Sequence, residues 1–335
     1  MCPKRNFIVV GGGVGPAAGV AFHQKLIDML DNRGMGDQGH APVIHLSMSP
    51  YVLDRTAYLL GNQQGINPGM AMGSSVNVAC HAFEAVAQKF VVGVPCNTFH
   101  SRVVYEAYLE QLESKQICPI NMIEETKNYI QQKLPSDEII LLSTSGTRET
   151  QVYSSQIPVL ETRDVPNPQD KNTKRLSYFL TQEGNPDLRK ISAAPQAAVM
   201  AAIYDPEIGV KGSEPHFSEA KWVFDVVIDL LKEGHAQRSA KKENYSVIMG
   251  CTEIPLAYAY GEGPLILGDF EKYIDPMEIL AARLITAAGY PLKQAFAEKY
   301  DYMLSSEVLA EPEDSAQIRL HVEDFAENIK IRSKL

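Results

Sequence analysis

Two short segments set the same chemistry at the same kind of place. "VPCNTFH" (94–100) and "MGCTEIPL" (249–256) each put a cysteine where an apolar run breaks into a polar turn, with a threonine within two residues. The thiolate is a good base, with an ordinary pKa of about 8.5 that helix N-termini and nearby donors lower. One thiolate and one thiol on opposite faces of a carbon can remove a proton from one face and return one to the other, inverting the centre. Asn97, Thr98 and Thr252 would then offer amide, hydroxyl and backbone donors to a carboxylate. The competing use of such a cysteine is covalent catalysis, with His100, four residues after Cys96, as the base. The five cysteines include no C-x-x-C pair, which argues against structural zinc and against a disulfide framework. Cys80 and Cys118 are read as buried, inert thiols.

Further candidates lie outside these segments. "IVVGGGVGPAAG" satisfies a loose dinucleotide fingerprint through Gly13, Gly15 and Ala18. The second strand, however, ends in Ser47, Met48 and Ser49, with no acidic residue to hold a ribose. What remains is a glycine turn at a helix start, where the backbone of Gly13 and Val14 can hold a carboxylate. Arg55, in "YVLDRTAYLLG", is either a surface cation or a bidentate clamp on a second carboxylate. Thr144 and Ser145 belong to a hydroxyl-rich turn, "LLSTSGTRETQVY", that follows the fourth strand. Lys211, in "EIGVKG", reads at face value as a lysine at a helix end.

The elements that must position these groups follow a βαβ rhythm, which predicts an α/β fold with largely parallel sheets. Strands are expected over 6–10, 42–46, 90–94, 138–142 and 246–249. Helices are expected near 16–32, 74–88, 101–115, 121–133, 194–204 and 217–233. A further helix is expected in "YIDPMEILAARLITAAG", capped by Asp275 with Pro276 in its first turn. Each half carries a cysteine at the carboxyl end of a strand, where open α/β sheets place their ligands. Two segments break the rhythm. Residues 160–192 are polar and turn-rich, and read as an insertion; "AQIRLHVEDFAENIKI" near the end reads as an amphipathic helix.

The 335-residue chain is long enough for two domains of about 150 residues each. Its 45% apolar and 21% charged content is that of a globular protein, and its net charge of -10 argues against nucleic acid as a partner. No stretch approaches the roughly 18 apolar residues of a membrane span. The first apolar run is too short for a signal-peptide core, so the expected address is the cytoplasm.

Taken together, "GGVGPAA" (12–18), "DRTAYLL" (54–60), "VPCNTFH", "LLSTSGTRETQVY", "AIYDPEIGVKG" (202–212), "MGCTEIPL" and "IDPMEILAARLI" (274–285) resemble the aspartate/glutamate racemase superfamily, in its order. The resemblance implies two pseudosymmetric α/β domains with the site between them: residues 1–119 plus 272–335, and residues 120–271. It also implies a homodimer acting on a small amino acid without pyridoxal phosphate, metal or other cofactor. Cys96 and Cys251 would be the two acid/base thiols, Cys96 facing the proton of the D form and Cys251 that of the L form. Glu253 stands where glutamate racemases usually carry histidine, which points to the aspartate-racemase-like branch. In that branch Arg55 and Lys211 would hold the acidic side chain. Val14 replaces the family's usual methionine, and the 160–192 insertion and the 300–335 tail exceed its common length. Hydantoin racemases, maleate isomerases and a non-catalytic binding module are the alternative readings.

Overall fold

The structure, a computed structural model, describes residues 4–165, 195–212, 215–238, 244–261 and 273–304. Strand β1 (Arg5–Gly12) is buried over its last six residues, the near-continuous apolar run of a parallel strand covered on both faces. It pairs in parallel with β2 (Val43–Ser47) on one side, Ile8 opposite Val43, and with β3 (Ala87–Gly93) on the other, Phe7 opposite Phe90. Strand β4 (Ile117–Ile120) completes a parallel sheet of order β2-β1-β3-β4. A second parallel sheet is formed by β5 (Glu138–Ser143), β6 (Tyr245–Gly250) and β7 (Tyr273–Ile274), in that order. Because β7 pairs with β6, the second sheet extends past residue 271.

Helices cover the sheets, and several start where a side chain caps them. They are α1 (Pro16–Met29), α2 (Arg55–Leu59), α3 (Pro68–Phe83), α4 (Arg102–Gln111), α5 (Met122–Lys133), α6 (Ser145–Glu149), α7 (Pro195–Tyr204), α8 (Phe217–Arg238), α9 (Ile254–Tyr260), α10 (Pro276–Ala287) and α11 (Gln294–Lys299). Helix α3 starts earlier than the expected 74 because Asn67 accepts from the Gly69 N–H and Pro68 sits in the first turn. It ends at Phe83, where the expected 74–88 would have run into β3. The sequence reading missed β4, whose "ICPI" contains a proline; Pro119 is tolerated because β4 is an edge strand in the described sheet. The same edge position leaves Cys118 half-buried, a correction to the expected buried thiol. Cys80 is buried, and burial pushes its thiol up to about 12.

Helix α10 locks the two sheets to each other. Asp275 accepts from the Met277 N–H and caps it, as its sequence predicts. One apolar cluster runs from Ile8, Val10 and Val91 of the first sheet through Ile279, Leu280 and Leu284 of α10 to Leu141 and Ile248 of the second. Gly93 closes β3 directly beneath this helix. A Cβ there would lie 2.7 Å from Leu284 Cδ1, so a side chain at this position would push back the leucine ends through which α10 packs on the strand that leads into Cys96. The insertion and tail expectations fall on residues outside those described, apart from 160–165 and 300–304. Among the described residues no helix is long and apolar enough to cross a membrane.

Candidate active site

The carboxyl ends of both sheets converge on one small cavity. Arg55, Thr56, Cys96, Asn97, Thr98, Thr144, Tyr204, Lys211, Gly250, Cys251, Thr252 and Glu253 line it. Cys96 follows β3 and Cys251 follows β6, so the two thiols reach the cavity from different sheets. The enclosed space is about 10 Å³, room for about one water molecule. Any larger ligand must part the walls.

Local folding explains how each side chain arrives. Asp54 caps α2 by accepting from the Ala57 N–H at 2.7 Å, which sets Arg55 and Thr56 in the first turn facing inward. Arg55 is 6% exposed; it donates to the Leu53 carbonyl at 3.1 Å and, through Nη2, to the Val14 carbonyl. Burial alone would lower the guanidinium pKa, but Cys96, Asp54 and Tyr204 beside it outweigh that and raise it. The guanidinium and the Cys96 thiol line the same cavity. Tyr153, fully buried, donates to Asn97 Oδ1 at 2.6 Å and fixes that amide. Asn97 Nδ2 and Arg55 Nε are buried and find no partner among the described residues. Two unspent donors at an enclosed site are what an anionic ligand would satisfy.

Threonines join the two sheets across the cavity. Thr98 bonds to Thr144 at 2.9 Å and to Thr147 at 2.8 Å, and Thr56 donates to Thr144 at 3.3 Å. Thr144 also caps α6. Gly146 lies in the seam, where a Cβ would stand 2.8 Å from both Thr56 Oγ1 and Thr98 Cγ2.

The Cys251 side is built differently. The Cys251 thiol donates to Glu253 Oε2 at 3.2 Å, and Thr252 donates to the same oxygen at 3.1 Å. Lys211 Nζ stands 3.4 Å from Glu253 Oε1 and 4.7 Å from the centre of the Tyr204 ring. Lys211 is delivered by a turn after α7, in which its N–H bonds the Ile203 carbonyl at 3.0 Å and Asp205 caps Glu207. Burial pushes the Cys251 thiol up and Glu253 adds to this, while Lys211 opposes it. The Lys211 ammonium is held above its ordinary value because Glu253, Cys251 and Tyr204 outweigh burial.

His100 is no base. Its Nδ1 donates to the Cys96 carbonyl at 2.9 Å, and its Nε2 accepts the Met122 N–H at 3.3 Å. Burial lowers its pKa to about 4, so it stays neutral and ties the cysteine turn to α5. Gly13, Val14 and Ser145 do not line the cavity. Gly13 adopts a φ of +83° where a Cβ would strike the Met48 backbone, Val14 anchors Arg55 through its carbonyl, and Ser145 bonds Gln196. Sequence reasoning misses Tyr204 and Thr56, although both lie within quoted motifs and Thr56 adjoins Arg55. Burial pushes the Tyr204 hydroxyl up to about 12, against the pull of Lys211. Among the described residues no group of three or more His, Cys, Asp or Glu side chains is placed to hold a metal ion.

No family model matches the chain. Among solved structures, an aspartate racemase from Picrophilus torridus superposes with a TM-score of 0.52 at 20% identity, covering 89% of this chain and 100% of that one. An aspartate racemase homologue from Pyrococcus horikoshii OT3 gives 0.46 at 17% identity, covering 85% and 99%. The first likeness establishes the fold: helix-flanked parallel sheets in the arrangement of that racemase.

Proposed function

We propose that the protein racemises an acidic α-amino acid, aspartate foremost, by two-base proton transfer at Cα without pyridoxal phosphate. One observation carries the reading. Two thiols from different sheets line one buried cavity together with two cations, Arg55 and Lys211. The activity in the name of the Picrophilus structure agrees with it.

In this reading the α-carboxylate takes the unspent Asn97 donor and the hydroxyls of Thr98 and Thr252, and Arg55 faces the side-chain carboxylate. A thiolate at Cys96 removes the α-proton, and the electron pair left on Cα delocalises into the clamped carboxylate. The Cys251 thiol gives its proton to the opposite face. The product is the other enantiomer, with Cys96 now a thiol and Cys251 a thiolate. The reverse sequence serves the opposite enantiomer. Burial makes the surrounding donors more effective than they would be in water.

The test is incubation of the pure protein with a panel of L- and D-amino acids, followed by chiral chromatography. Aspartate should equilibrate from either enantiomer, ahead of neutral amino acids. Inversion of neutral amino acids alone would remove the acidic specificity, and no inversion of any would remove the reading.

A further inference from the structure

Both carboxylate oxygens of Glu253 are engaged by neighbouring side chains. Oε2 accepts from the Cys251 thiol at 3.2 Å and from Thr252 at 3.1 Å, and Oε1 pairs with Lys211 at 3.4 Å. The carboxylate is 2% exposed and rests against the glycine turn, where a Cβ on Gly15 would lie 2.1 Å from Oε1. Gly15 is extended, so what it supplies here is room rather than an unusual φ. Cys96 has the opposite neighbour, the buried Arg55 guanidinium. A carboxylate beside a thiol opposes its ionisation, and a cation beside one favours negative charge.

We propose that Glu253 is a positioning residue that keeps the proton of the Cys251 thiol in place, so that Cys96, on the Arg55 side of the cavity, is the first of the two to serve as base. This deepens the racemase reading and rests on it. The consequence is directional. The enantiomer whose α-proton faces Cys96 meets a ready base, whereas the other must await the form with its charge at Cys251. The equilibrium constant of a racemisation is unity, so kcat/KM must match in the two directions while kcat and KM separately differ.

The two thiols are 8% and 5% exposed and share one cavity, so the same parting of its walls admits a small alkylating agent to both. The experiment is iodoacetamide labelling of substrate-free protein, resolved by residue with mass spectrometry and followed against pH, beside kcat and KM for each enantiomer. At neutral pH Cys96 should label at least about tenfold faster than Cys251, the effect of one pKa unit of thiolate population. Glu253→Gln should speed Cys251 about tenfold, leave Cys96 within about twofold, and narrow the gap in KM between enantiomers. Lys211→Met, which leaves the Glu253 charge uncompensated, should slow Cys251 further. If Glu253→Gln does not fold, the wild-type rates and Lys211→Met decide. Equal wild-type labelling of the two thiols, or an unchanged Cys251 rate in folded Glu253→Gln, overturns the proposal. Unequal labelling in a protein that inverts no amino acid leaves the Glu253 role standing and removes the racemase reading. Inversion with equal labelling does the reverse.

Discussion

Cys96 and Cys251 differ in their company, but the proposed chemistry needs both. Replacing either by Ser leaves a hydroxyl too weakly acidic to act as base at neutral pH, so each single variant should lose net racemisation. The surviving thiolate can still exchange the proton on its own face. In heavy water Cys96→Ser should therefore exchange the α-hydrogen of one enantiomer and Cys251→Ser that of the other, each without inversion. Proton NMR of the recovered amino acid reads this directly, and the same enantiomer exchanging in both variants would exclude opposed faces. Arg55 makes a second test at this scale. It is the buried, planar cation suited to a second carboxylate. Arg55→Leu should cost acidic substrates about 30- to 150-fold more than neutral ones, the worth of roughly 2–3 kcal/mol of charged hydrogen bonding. Steady-state kinetics on aspartate and alanine compare the two, and equal losses would place Arg55 outside the substrate's reach.

The turn after β3 is closed by its own backbone and tied to its neighbours through one side chain. His100 accepts from the first N–H of α5 and donates to the Cys96 carbonyl, spanning helix and turn. Its lowered pKa makes this link a stability device with a definite pH sign. The folded protein binds this proton only near pH 4, whereas the unfolded chain binds it near the ordinary 6.5. The contribution is thus fully present above about 6.5 and is lost as pH falls toward 4, amounting to about 3 kcal/mol across that window. Melting temperature measured from pH 8 to 4 should fall through the window in the wild type. The fall should be shallower in His100→Gln, whose amide carries no titrating proton. A parallel decline in both proteins would assign the pH dependence to other groups.

At the scale of the whole molecule, the cavity has room for about one water, and the threonine seam closes it from both sheets. Binding must therefore separate the walls and closure must restore the seam, with α10 as the packed element that keeps the sheets joined meanwhile. Gly146 sits where the seam is tightest. Gly146→Ala drives a methyl into Thr56 and Thr98, so closure is impaired while the apolar core is untouched. We expect KM for aspartate to rise several-fold and the melting temperature to fall as well, since the new methyl also stands 2.9 Å from the Thr56 Cα. Kinetics and thermal denaturation on one preparation check this; unchanged KM would show that the seam plays no part in closure.

Short-range features of this fold were legible in the chain alone. The strand cores, the Asp275 cap, the glycine turn and the placing of both cysteines after strands depend on neighbours within about one helical turn, where backbone propensity and capping act. Helix boundaries such as Asn67-Pro68 carried the same local signal, although the sequence reading set that helix later. Other features depended on the sheets coming together. The two-residue β7 exists only because β6 offers it a partner, and β4 reads as a strand only at a sheet edge. The Tyr153 hold on Asn97 joins residues 56 apart, and Gly15 meets Glu253 from the far end of the chain. In sequence, Glu253 marked the family branch and was a candidate substrate contact; its pairing with Lys211 and its place against Gly15 were not visible there. The contacts of Glu253 with Cys251 and Thr252 are local, whereas tertiary structure brings Lys211 to its other oxygen and Arg55 to the cavity wall that carries Cys96, and so makes two similar cysteines unequal. Such differences arise from charges brought within a few ångströms in a buried cavity, and for Arg55 and Lys211 that closeness comes from the fold rather than from spacing along the chain.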